Sequence, residues 1–111
     1  MELASMLRAL GDPTRYTIFC TLLERRCCVR SLSRELGITE PAVSQHLKKL
    51  KEAELIYGER FGRHMHYSPR QEALDYLEMA FAQFKQKSTM LERTAAPCRC
   101  AYRRGGHEHS S

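Results

Sequence analysis

The chain has 111 residues, 42% of them hydrophobic, and 18 Lys and Arg against 13 Asp and Glu give it a formal charge of +5. That length suits one domain with a small core; no apolar run approaches the roughly 20 residues of a membrane span, and "MELASMLRALGDPTR" does not read as a signal peptide, so a cytoplasmic protein without a membrane partner is expected. The basic balance favours an anionic partner without identifying one, and five cysteines in a reducing compartment point to metal binding or redox sensing rather than a disulfide framework.

In chain order, Leu3, Met6, Leu7 and Leu10 recur at helical spacing and predict a helix over 2–10 that Gly11 ends. Asp12 is a good N-cap for a second helix, with Pro13 at the first helical position, where a missing N–H costs nothing. Tyr16, Ile18, Phe19, Leu22 and Leu23 make this helix apolar on more than one face, which places it at the centre of the core. Cys20, in its middle, is expected to behave as a small buried hydrophobe.

Next comes "RRCCVRSL", residues 25–32, with two adjacent thiols between arginines. In "VRSLSRELG", Val29, Leu32 and Leu36 point one way and Gly37 supplies a left-handed stop. Thr39 can cap the helix that follows, "EPAVSQHLKKLKEAEL". The period then changes: 55–60 and 64–68 read as two strands around a turn at Gly62, with Met65 and Tyr67 on one side and His64 and His66 on the other.

Ser68 and Gln71 have capping-box spacing before a long last helix, in which Leu74, Leu77, Phe81, Phe84, Ser88 and Leu91 recur. Pro97 stops it, and "CRCAYRRGGHEHSS" is polar. The expected organisation is a mainly α domain with a small β-hairpin over 1–92, then a flexible tail over 93–111 containing Cys98, Cys100, His107 and His109.

A short helix, a glycine turn and a capped helix form a helix-turn-helix. At about 100° per residue, Val43, Leu47 and Leu50 face inward, while Pro41, Ser44, Gln45, Lys48 and Glu52 lie opposite, flanked by Lys49 and Lys51. That polar face suits a DNA major groove, where Gln pairs with adenine and lysines meet phosphate. An ordinary solvated amphipathic helix would look the same. The basic hairpin favours DNA: as a wing, it places Arg60, Arg63 and Arg70 to reach phosphates or the minor groove.

The combination resembles the ArsR/SmtB family of winged helix-turn-helix repressors from about Leu7 to Lys87. "LRALGDPTRYTIFCTL" is similar to the family's entry helices, "LSRELGITEPAVSQHLKKLKEAELI" to its helix-turn-helix, and "GERFGRHMHYSP" to its wing. The resemblance implies a homodimer paired through the first and last helices. It also implies that the dimer binds double-stranded operator DNA and is released when an inducer binds. Leu77, Phe81, Phe84, Ser88 and Leu91 form a 4-3-4-3 stripe suited to a partner helix, although such a stripe can also cover its own core.

The family senses through several sites on one scaffold. One uses Cys-Val-Cys-Asp-Leu-Cys at the third helix, and alignment through Pro41 puts Cys28, Val29, Arg30, Ser31, Leu32 and Ser33 there, so one ligand of three remains. Another needs histidines on the last helix, and residues 71–91 contain none. What is left is Cys28 (or Cys27) with Cys98 and Cys100, soft thiolates suited to arsenite, antimonite, cadmium, lead or zinc as inducer.

Arg25, Arg26, Arg30 and Arg99 are expected to favour thiolate. No organic cofactor is implied. The alternative is a persulfide or redox switch, since persulfide-responsive family members carry a cysteine where Cys20 stands, for which Cys98 or Cys100 would supply the partner. Incidental thiols in a tail are the remaining option. His46 reads as structural rather than as a base reader, and His64 and His66 as solvent-facing. Nothing in the sequence assembles a catalytic site, so an enzyme is not expected, while a protein-binding winged helix stays open as a different class.

Overall fold

Local signals set most of the element boundaries in the computed structural model, which describes residues 1–100. α1 (Leu3–Leu10) runs to Gly11, and α2 (Pro13–Glu24) starts with the Asp12 carboxylate accepting the Arg15 N–H at 2.9 Å. α3 (Val29–Leu36) ends at Gly37 with φ 69°, where a side chain would be strained, and α4 (Glu40–Glu52) is capped by Thr39. β1 (Ile56–Phe61) and β2 (His64–Pro69) pair antiparallel, Ile56 opposite Pro69 and Phe61 opposite His64, with Gly62 left-handed in the turn. α5 (Gln71–Thr94) is the last element among the described residues.

Two compact units result, Met1–Ala80 and the segment from Phe81 on. The core lies in the first. Met6, Ile18, Leu32, Val43, Leu50 and Leu55 are wholly enclosed, and Leu22, Leu47 and Ile56 nearly so. Each such side chain stabilises the fold by about 1.5–3 kcal/mol relative to exposure. In the second unit, Phe81 and Phe84 meet edge-on at 5.6 Å, and the helix closes with Thr94 Oγ1 donating to the Met90 carbonyl at 3.0 Å. No described helix is long and apolar enough to cross a membrane.

Three local expectations need correcting. α2 buries Ile18, Phe19 and Leu22, but Tyr16 and Leu23 are 54% and 49% exposed and Cys20 is half-buried. These three lie about 140–200° around the helix from Ile18, so one layer of partners covers only the opposite face. Ser68 does not cap α5: β2 continues through Pro69, Ser68 pairs with Tyr57, and it is the Arg70 carbonyl that accepts the first-turn N–H groups of Ala73 and Leu74. β1 is shifted by one residue, to Ile56–Phe61, because pairing continues up to the turn, and β2 runs one residue further at its far end, where Pro69 stands opposite Ile56.

Candidate nucleic-acid interface and thiol sites

α4 is built to present one face. Thr39 Oγ1 accepts the Ala42 N–H at 3.2 Å, and Val43, Leu47 and Leu50 are buried against the rest of the core. Pro41, Ser44, Gln45, Lys48 and Lys49 are all exposed, as are Lys51 and Glu52. The turn before α4 is fixed as firmly as its start. Ser33 Oγ donates to the Ile38 carbonyl at 2.6 Å, and the Gly37 N–H donates to the Ser33 carbonyl at 2.9 Å. The angle between α3 and α4 is thereby held by hydrogen bonds within the turn.

His46 is structural, as its place beside the inward face suggests. Its Nδ1 lies 3.3 Å from Arg15 Nη1 and 3.9 Å from Asp12 Oδ2, and Arg15 Nε donates to the Ala9 carbonyl at 2.6 Å. One guanidinium therefore ties α1 and α2 to α4. The Asp12 carboxyl is held below its ordinary range, first by the Arg15 backbone N–H, against a smaller burial penalty, and then by the charges of Arg15 and His46.

Beside this contact, Ser5, Arg8, Ala9, Arg15, Lys49, Glu52 and Ala53 line an open cleft of ≈ 330 Å³. It brings Arg8 and Arg15 next to Lys49 at the edge of the α4 face. The sequence reading did not single out these two arginines. Their only signal was basic charge at either side of the Gly11 turn.

On the wing, Arg60 and Arg63 are exposed and Arg70 is half-buried at the hairpin's base. Gly58 sits in a tight spot: a Cβ there would stand 3.0 Å from Met65 Sδ and 3.0 Å from Tyr67 Cε1, so those side chains would have to give by a few tenths of an ångström. The Phe61 ring stacks on His66 at 5.2 Å, and the Arg26 guanidinium carbon lies 4.9 Å from the same ring's centre.

The five thiols fall into different settings. Cys27 is 4% exposed, and burial pushes its pKa up despite the nearby Arg25. Cys28 is half-buried at the N-cap of α3. Burial opposes its thiolate, but the first-turn N–H groups of Ser31 and Arg30 and the Ser31 hydroxyl outweigh it, so its pKa is lowered. None of the arginine side chains expected to favour thiolate is among these causes; of the four, Arg25 pairs with Glu35 and acts on Cys27, and Arg26 sits over Phe61.

Cys20 hydrogen-bonds the Tyr16 hydroxyl, which raises the phenol's pKa. Cys98 and Cys100 are exposed. Among the described residues, no three His, Cys, Asp or Glu side chains gather into a metal-binding group. Cys28, Cys98 and Cys100 offer thiolate sulfur, a donor that suits a soft ion and not a hard one. His107 and His109 lie outside the described residues.

A helix-turn-helix with a solvent-facing second helix and a basic hairpin defines a winged helix-turn-helix domain. Residues 12–57 match the family described as "Bacterial regulatory protein, arsR family". The HTH-type transcriptional repressor SmtB of Mycobacterium tuberculosis is 47% identical over 62 residues, 56% of this chain and 46% of that protein. The HTH-type transcriptional regulator CmtR of Mycobacterium bovis is 39% identical over 66 residues, 60% of this chain and 56% of that protein. An ArsR-like transcriptional regulator from Rhodococcus sp. RHA1 superposes with a TM-score of 0.68 at 27% identity, over 84% of this chain and 92% of that one. The chain spans about half the length of the relatives it matches in sequence. Residues 12–57 thus match an arsR-family domain, in a chain with the winged helix-turn-helix fold of ArsR-like regulators.

Proposed function

We propose that the protein is a transcriptional repressor that binds double-stranded operator DNA as a homodimer and releases it when a thiophilic metal or metalloid engages its cysteine thiolates. The observation that carries the DNA reading is the α4 face: Pro41, Ser44, Gln45, Lys48 and Lys49 are exposed together on a helix whose other side is locked into the core. Gln45 and Ser44 would read base edges, and Lys48, Lys49, Arg60 and Arg63 would meet phosphates. Arg8, in the adjoining cleft, would add a backbone contact. The exposed Leu7 of α1 and Phe81, Phe84 and Leu91 of α5 support pairing of two copies through those helices.

For the inducer, Cys28 with Cys98 and Cys100 is the proposed ligand set. Cys28 is preferred to Cys27 because it is the more accessible and the more readily ionised thiol. Three soft ligands suit arsenite or antimonite, and cadmium, lead or zinc with a further donor. A redox reading has one observation in its favour: Cys20 is half-buried beside exposed Tyr16 and Leu23, within reach of a persulfide, and not sealed in the core.

The test is fluorescence anisotropy of the reduced, metal-free protein on DNA from its own promoter, across a salt series and then with each ion and an inorganic polysulfide. A steep log-linear loss of affinity with salt supports DNA binding, whereas a flat response would favour a protein partner. Release by one soft ion, abolished by Cys28→Ser, Cys98→Ser or Cys100→Ser, supports the metal reading. Release by polysulfide alone, abolished by Cys20→Ser and reversed by reductant, supports the redox one.

A further inference from the structure

Residues 25–28 connect α2 to α3, and they also belong to the wing. The Cys27 carbonyl accepts the Tyr67 N–H at 2.9 Å in an antiparallel bridge. Tyr67 already pairs with Gly58 across the hairpin, so Cys27 lies against the other edge of β2 as a one-residue third strand. The neighbouring residue makes a second tie: Arg26 packs over Phe61, the last residue of β1, which itself stacks on His66 of β2. The wing is therefore braced near its tip and at mid-strand by two consecutive residues of one connector.

Cys28 is the next residue. Adjacent side chains of extended backbone point to opposite sides, and here Cys27 is enclosed in the core while Cys28 reaches solvent. Cys28 also anchors α3: its carbonyl accepts the Leu32 N–H and the Ser31 hydroxyl, each at 3.1 Å. A group attached to Cys28 Sγ that displaces this backbone has one residue to cross before it meets the Tyr67 bridge. To reach the turn that sets α4 along the chain, it must act through the eight-residue length of α3, about 12 Å, a helix that itself packs against α4. That turn is closed by its own Ser33–Ile38 and Gly37–Ser33 hydrogen bonds.

We propose that Arg26 and Cys27 are positioning residues for the wing, and that chemistry at Cys28 alters DNA binding by moving the wing and not by tilting α4. The proposal rests on the reading that the wing contacts DNA, and goes beyond it by naming the element that reports the state of the thiol.

The test uses the full chain with Cys20, Cys98 and Cys100 changed to Ser, reacted with iodoacetamide. The Cys28 thiolate forms an S–C bond, iodide leaves, and the thiol proton passes to buffer; mass spectrometry verifies a single adduct at Cys28. Amide NMR should show shifts at Arg26, Phe61, His66 and Tyr67 with Gln45 and Lys48 unmoved. DNA affinity should fall about fivefold or more, the lower end of ordinary allosteric coupling. The slope of log affinity against log salt should shrink by about one to two, as wing phosphate contacts are lost.

In Phe61→Leu, which removes the ring between Arg26 and His66, affinity should start lower and the further loss on alkylation should shrink to about twofold or less. Arg26→Gln, at an exposed position, cuts the same tie from the other side and should behave alike. Shifts at Gln45 and Lys48 with a silent wing would overturn the proposal. So would a full loss on alkylation in both variants, or no shift beyond the first turn of α3. If the unreacted protein ignores DNA, the functional reading fails by itself, and the amide shifts still decide whether Cys28 moves the wing.

Discussion

α4 and α5 carry equally regular apolar stripes, and they end up in opposite situations. On α4, Val43, Leu47 and Leu50 are at most 2% exposed. On α5, Ala73 alone is buried, and Phe81, Phe84 and Leu91 are 46–54% exposed. A helical repeat specifies which side of a helix is apolar, but not what covers that side. For α4 the cover comes from this chain; for α5 beyond Ala80, the proposed cover is a second copy.

The sharpest way to break this comparison is to truncate one residue on each stripe. Leu47→Ala should cost about 2–5 kcal/mol of folding stability by opening a core cavity, read by denaturant unfolding. Phe84→Ala should leave unfolding of the isolated chain within about 0.5 kcal/mol while weakening self-association in sedimentation, and an equal loss of stability would put Phe84 in its own core.

The outer side of α4 gives the next effect: Gln45→Ala should cost about 1–3 kcal/mol in operator binding and blur preference at one base pair. Thr39→Ala, which removes the cap and touches no base, should cost about 1 kcal/mol in stability and leave sequence preference unchanged. Lys48→Ala should weaken all DNA alike and lower the salt slope by about 1.

A smaller contrast separates the adjacent thiols. Folding favours the Cys28 thiolate, so its contribution to stability is full above the unfolded pKa and lost as pH falls through the lower folded value. Cys27 has the opposite sign: its contribution is full below the unfolded pKa and lost as pH rises through the raised folded value. Alkylation requires thiolate, so with rising pH Cys28 should be modified first and Cys27 should lag. Mass mapping of adducts against pH checks this, and equal rates would mean that burial does not protect Cys27.

The features legible in the sequence were those decided within a few residues: the Asp12 and Thr39 caps, the left-handed Gly37, the inward face of α4 and the turn at Gly62. What was hidden depended on partners far along the chain. Tyr16, Cys20 and Leu23 look like core residues until the single packing layer on α2 is known. The Cys27–Tyr67 bridge joins residues forty apart through backbone atoms that leave no mark in side-chain pattern. Arg25 and Arg26 misled at Cys28 for a related reason, since their side chains pair with Glu35 and Phe61 in space.

Arg15 has a mechanical consequence of its own. Its planar fork reaches the end of α1 through one nitrogen and α4 through another, so a helix proposed for pairing and a helix proposed for reading share one rivet. An ammonium radiates its donors from a single atom and cannot span both receivers. Arg15→Lys would keep the charge and cut the linkage, leaving each half of the proposed dimer free to choose its own angle on the proposed DNA.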